Sequence, residues 1–195
     1  RRVPVSALMA CGAVHHHLVR AAKRTRVAII IESAECRDVH HHCLLIGFGA
    51  DGINPYLVYE VLRHALHDDL LDAMEFDHRS AIDAYRASAV KGILKVMGKM
   101  GISTLQSYKG GQIFEALGLR DEVIDLCFHM TPSRLQGAGF EVLAQELLRR
   151  HTLGFPNNEV SNGGGLHNPG EFHWRAGGER HGWSPRVIAD LQTAA

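Results

Sequence analysis

Apolar residues Leu8, Val14, Leu18 and Ala22 recur at helical spacing after Pro4, whose ring suits a first helical turn, and predict a helix running to Arg24. Gly12 inside that helix costs about 1 kcal/mol relative to alanine, so the pattern implies a neighbour that approaches closely. The pattern then changes period. "RVAIIIES" is a continuous β-branched run, as in a strand buried on both faces of a parallel sheet. Asp38 is placed to cap a helix from Val39 to Phe48, "ADGINPY" reads as a short strand and turn, and "LVYEVLRHALHDDLLDAM" as another helix. Helix, strand, helix, strand, helix is the order of an α/β unit with parallel strands, the last part of a barrel or wound sheet.

From Ser80 onward the periodicity predicts helices alone: "SAIDAYRASAVKGILKVMGKM", "STLQSYKGGQIFEALG", "RDEVIDLCFHM" and "GFEVLAQELLRRHTL", punctuated by Thr131-Pro132-Ser133 and by Gly137 and Gly139. Residues 154–170 read as a Gly/Asn/Pro linker. "EFHWRAGGERHGW" after it reads as a hairpin turning at Gly177-Gly178, and "VIADLQTAA" is a helical pattern. The expected division is 1–78 for the end of an α/β domain, 79–153 for its helical continuation, and 154–195 for linker, hairpin and the approach to a following domain. No Met opens the chain and a helical pattern runs to its last residues, so both ends look cut.

Composition narrows the function classes. A chain of 195 residues with 46% hydrophobic content can bury a core, and 21 basic residues balance 21 acidic ones. Nothing in that balance favours nucleic acid or an anionic membrane. No apolar run approaches the ~18 residues that span a bilayer, and the expectation is a soluble, cytoplasmic protein. The four cysteines, Cys11, Cys36, Cys43 and Cys127, have no C-x-x-C spacing, which suits reduced thiols and encodes no zinc or iron–sulfur knuckle.

Two histidine triplets stand out, His15-His16-His17 and His40-His41-His42. Consecutive helical residues diverge by about 100° each, so neither triplet converges on one ion, and packing, capping or hydrogen bonding is the expectation over metal ligation. "GFGADG", with glycines at 47, 49 and 52, follows a helix where a dinucleotide fingerprint follows a strand, and tight helix-to-strand packing is the expectation. "KGGQ" at 109–112 reads as a kink or close helix contact. Lys95, Lys99 and Lys109 read as a solvated basic face, and Ser103 or Thr104 as an N-cap with Gln106 completing a capping box. No Ser-His-Asp or Cys-His arrangement has diagnostic spacing.

Four separated blocks carry a resemblance. "GAVHHHLVRAAKRTRVAIIIESAECRDVHHHCLLIGFGADGINPYLVYE", "VKGILKVMGKMGISTLQSYKGGQIFEALGL", "TPSRLQG" and "GEFHWR", in this order, resemble the large subunit of glutamate synthase. The resemblance implies a multidomain parent: an N-terminal glutaminase domain with a terminal cysteine, a central α/β domain, an FMN-binding (β/α)₈ barrel that reduces 2-iminoglutarate, and a β-helix. It places residues 1 to about 150 in the C-terminal half of the central domain. It also implies a three-iron four-sulfur cluster in the parent and a reductant from an NADPH-oxidising small subunit or ferredoxin. None of the family's catalytic, flavin-binding or cluster-binding residues falls on this chain, so no catalytic, cofactor or metal residue is assigned and the isolated chain is expected to be inactive.

Such a parent passes ammonia from the glutaminase site to the flavin site. Gly52, Ile53 and Asn54 are the candidate wall of that passage, on condition that Asp51, which stands where relatives tend to be apolar, turns away or is salt-bridged. Two other classes remain: a stand-alone helical interaction module, and a histidine-metal hydrolase.

Overall fold

The computed structural model describes residues 3–72, 75–155, 170–171 and 173–194, and the linker residues 156–169 lie outside them. The chain divides into two compact units, residues 1–144 and 145–195.

The first unit is a mixed α/β structure built from two small parallel sheets. Helix α1 (Ala7–Arg20) precedes strand β1 (Ile30–Glu32), helix α2 (Val39–Gly47) and strand β2 (Gly52–Asn54), and β1 pairs with β2 in parallel with Ile31 opposite Ile53. Helix α3 (Tyr56–His67) begins directly after Pro55, and α4 (His78–Met100) starts on a capping box in which Asp77 and Ser80 satisfy each other's backbone N–H groups. The one-turn helix α5 (Leu105–Tyr108) is capped by Thr104, with Ser107 rather than Gln106 as its reciprocal partner.

Beyond Ser80 the chain is mainly helical, yet the expectation of helices alone fails. Strand β3 (Ala116–Leu119), helix α6 (Asp121–Cys127) and strand β4 (Ser133–Ala138) form a second parallel pair, with an irregular register. The apolar spacing of "QIFEALG" is compatible with a helix, but Gly110 at φ 70° and Gln112 at φ 52° leave the helical region and turn the chain into extended structure before it. Helix α1 likewise stops at Arg20 rather than Arg24, because Ala22 takes φ 53° and a 3₁₀ turn follows at Arg24–Arg26. The strand expected to be buried on both faces is covered on one: Ile31 packs on the core while Ile30 is 66% exposed. On the second face Ile30 and Glu32 are exposed, while Gly52 and Asn54 opposite them are half-buried.

Three groups of buried residues hold this unit. Cys11, Ile29, Cys36, Leu45 and Ala50 form the first, which Ile31 and Ile53 join from the sheet. Val123, Ile124, Cys127 and Phe128 form the second, and Cys43, Met97 and Tyr108 the third. Leu8 of α1 touches both the first and the second, so α1 ties the two βαβ units together.

Residues 145–195 contain most of helix α7 (Phe140–Gly154) and helix α8 (Pro185–Ala194), which Ser184 caps by accepting from the Val187 amide at 3.3 Å. Gly177 takes φ 75° and the Gly178 amide returns to the Arg175 carbonyl at 3.1 Å, so the expected turn is present. Paired strands do not flank it among the described residues. His181 instead holds the approach by donating from Nε2 to the Gly170 carbonyl at 2.6 Å.

Gly12 explains how α1 and α6 meet. A β-carbon placed on it would fall on the carbonyl oxygen of Cys127, so the two backbones touch where any other residue would separate them. Gly12→Ala regains about 1 kcal/mol of helix propensity but forces α1 off α6, and the net loss is about 2 kcal/mol. A lower urea midpoint for the variant is the expected result; an unchanged one would contradict the contact.

Candidate functional site

The segment between α2 and β2 is shaped by its glycines. Gly49 has φ 110°, a conformation that side chains resist, and its α-carbon lies against the His15 ring; Gly47 lies against Phe114, and Gly52 against Ile30. The close approaches at these glycines are thus to a helix, a loop and the neighbouring strand, where tight helix-to-strand packing is the expectation.

Asp51 follows this turn and is enclosed. Its Oδ2 accepts from Arg24 Nη2 at 2.7 Å and from the Ile29 amide at 2.8 Å, and its Oδ1 accepts from the Lys109 ammonium. Arg24 is used in every direction: Nε donates to His15 Nδ1 at 3.1 Å, Nη1 to the Val27 carbonyl at 2.8 Å, and Nη2 also to the Gly49 carbonyl at 2.7 Å. Lys109 is only 12% exposed, so it does not belong to the solvated basic face with Lys95 and Lys99, both of which are exposed. Its side chain belongs to the Asp51 network. Burial by itself would raise the Asp51 pKa; Lys109, the Ile29 amide and Arg24 outweigh it and hold the carboxyl well below the usual carboxylate range. The spacings of 27 and 58 residues from Asp51 to Arg24 and Lys109 leave no local signal of either pairing.

Gly52, Ile53 and Asn54 form the whole of β2. Alternation along the strand separates them. Ile53 packs with Ile31 on the first core group, while Gly52 lies opposite Ile30, and Asn54 Nδ2 reaches Glu32 Oε2 at 3.4 Å across the other face.

The histidine triplets diverge as helix geometry requires. His15 accepts from Arg24, His16 packs edge-on between His15 and His129 at ring separations of 5.1 and 5.9 Å, and His17 is exposed. In the second triplet His42 is buried and donates from Nδ1 to the Asp38 carbonyl at 2.6 Å, His41 accepts at Nδ1 from the Arg37 amide at 3.3 Å, and His40 is exposed. Asp38 caps α2 as expected, accepting from the His41 amide at 3.1 Å. Among the described residues no three His, Cys, Asp or Glu side chains converge as a metal site requires.

All four cysteines are buried free thiols spread over the three core groups, a donor set that does not fit an iron–sulfur cluster. Burial pushes the Cys11 thiol up to about 11, which makes it inert near neutral pH. Among the described residues no helix is long and apolar enough to cross a membrane.

The Asp51 network sets a pH-dependent stability. Its pKa is depressed in the fold, so its contribution is complete above the unfolded carboxylate value of about 3.9 and is lost as pH falls towards the folded value. Asp51→Asn leaves Arg24 and Lys109 partly buried without their counter-charge and lowers stability at neutral pH by about 2–3 kcal/mol. Urea denaturation from pH 7 downward should show this deficit narrowing below about pH 4; a deficit independent of pH would contradict the ion-pair account.

Comparison with known proteins gives the family. Residues 1–120 match the family described as glutamate synthase central domain. The chain is 45% identical to the NADH glutamate synthase of Saccharomyces cerevisiae over 98% of its length and 9% of the relative's. It is 43% identical to the NADPH glutamate synthase large chain of Bacillus subtilis over 100% of its length and 12% of the relative's. With ferredoxin-dependent glutamate synthase 2 of Synechocystis it is 38% identical over 96% of its length and 12% of the relative's. The chain therefore spans about a tenth of the length of the curated relatives it matches. On the match over residues 1–120, and on similarity that continues through the remainder of the chain, this protein belongs to the glutamate synthase central domain family.

Proposed function

We propose that this chain is a structural piece of a glutamate synthase, an oxidoreductase that converts glutamine, 2-oxoglutarate and reducing equivalents into two molecules of glutamate. Its two βαβ units form the C-terminal part of a barrel-like central domain, with the first unit in residues 1–78, a mainly helical continuation that carries the second unit in 79–153, and 154–195 leading to the FMN domain. FMN and the three-iron four-sulfur cluster belong to other parts of the parent, which works in the cytoplasm and receives electrons from an NADPH-oxidising subunit or from ferredoxin. This chain supplies scaffold, and its β2 strand supplies a wall of the ammonia passage between the glutaminase and flavin sites.

The observation that carries the wall assignment is the second face of the first sheet, where Gly52 and Asn54 stand beside Ile30 and Glu32. Ammonia crosses between active sites only while it stays unprotonated, because ammonium is no nucleophile, so a wall must lack a free acid. Asp51, one residue away, is ionised with both oxygens taken by Arg24, Lys109 and the Ile29 amide, and on the face itself the Glu32 carboxylate is engaged by Asn54 Nδ2 at 3.4 Å. Ile53 backs the wall from the core side.

Asn54 is therefore the position to obstruct, since enlarging Ile53 would disturb the core at the same time. Asn54→Trp in the full-length enzyme should leave glutamine hydrolysis within about twofold of normal and lower glutamate formed per glutamine hydrolysed by about tenfold. A ratio equal to that of the unmodified enzyme, measured by assaying both products in one reaction, would remove Gly52 and Asn54 from the passage.

A further inference from the structure

We propose that the cavity bounded by His15 and His16 of α1, Phe114, Gln112, and His129 and Thr131 after α6 is a binding site for a small neutral hydrogen-bonding molecule, of the size of water or ammonia. It lies apart from the β2 strand and none of the roles assigned above uses it.

The first support is size. The cavity measures about 60 Å³, several times the ~10–15 Å³ that one water requires, and too little for a substrate such as an amino acid. The second is an unmet bond. His16 Nε2 is buried and has no hydrogen-bond partner in the protein, a state that costs about 1–3 kcal/mol unless a guest provides one.

The third is the character of the walls. His15 accepts from Arg24 at Nδ1, so its own proton sits on Nε2 and that edge of the ring is a donor. Thr131 adds a buried hydroxyl, while Phe48 and Phe114, stacked at 5.9 Å, close the apolar side. Burial, with His15, His129 and Arg20 adding to it, lowers the His16 pKa to about 4, and burial and the Arg24 charge lower that of His15. Neutral imidazoles at His15 and His16 give a charged guest no full charge to pair with on the wall itself, and they offer hydrogen bonds instead. What remains is a neutral guest.

The backbone agrees. Gln112, in one bounding loop, has φ 52°, and Met130, between His129 and Thr131 in the other, has φ 64°. Both are residues with side chains held in the left-handed region, a strain of about 1 kcal/mol or more each that the surrounding structure sustains at the rim of one cavity.

The test is a high-resolution crystal structure of the full-length protein, with His16→Leu as the comparison. A discrete density peak within hydrogen-bonding distance of His16 Nε2, absent from the variant, is the expected result. A map that resolves other buried waters but shows no peak there overturns the proposal, and the unmodified protein alone decides this if the variant fails to fold. Melting curves at alkaline pH, where free ammonia is populated, then identify the guest. A saturable rise in melting temperature with ammonium chloride, absent with sodium chloride and absent in His16→Leu, assigns ammonia; equal curves in both salts with the peak retained assign water. Only the ammonia outcome rests on the passage proposed above. An empty cavity leaves that passage standing, and a fully coupled Asn54→Trp enzyme leaves this cavity standing.

Discussion

One salt-bridged carboxylate organises the first βαβ unit. Asp51 draws together the turn that follows α1, the residue before β1 and the end of α5, the last of which is far from the other two in the chain. Two cations and a backbone amide compensate a group that burial alone would drive to the neutral form. The same contacts set the angle at which the chain enters β2, because Arg24 also binds the Gly49 carbonyl at 2.7 Å and the Asp51 amide donates to the Ile29 carbonyl at 2.8 Å. An anion at this position is thus a joint between elements.

The polar groups of the interior follow one pattern. Cys11 donates weakly to the Leu45 and Phe48 carbonyls at 3.8 and 3.6 Å, His42 to the Asp38 carbonyl, and His15 accepts a hydrogen bond from Arg24. Each adds a hydrogen bond near the end of an element, and the Leu45 and Asp38 carbonyls also accept from the Ala50 and His42 amides. Histidines and thiols that would suggest catalysis by their number act here as local fasteners.

Much of this was legible in the residues. The cap at Asp38, the close approach at Gly12 and the tight turn at Gly47–Gly52 each depend on one residue's own conformational or bonding preference, and such preferences are local. The second sheet was not legible, because "QIFEALGL" has an apolar spacing that suits either period, and positive φ at Gln112, a residue that rarely adopts it, decided the outcome. Neither was the Asp51 network. A lysine 58 residues away carries no mark of its partner, and only the fold brings the two together. The divergence of the histidines followed from helical geometry; the small space beside His16 did not, since it is made by four segments.

Both sheets contain two strands, and in each the outer peptide groups of a parallel ladder have no protein partner across the edge among the described residues. Ile30, Leu117 and Leu135 stand exposed on these strands at 66%, 68% and 62%. Freed from neighbours, such ladders are templates for strand addition between molecules. Exposed apolar side chains beside unpaired backbone groups make these edges the places where a further strand fits the fold.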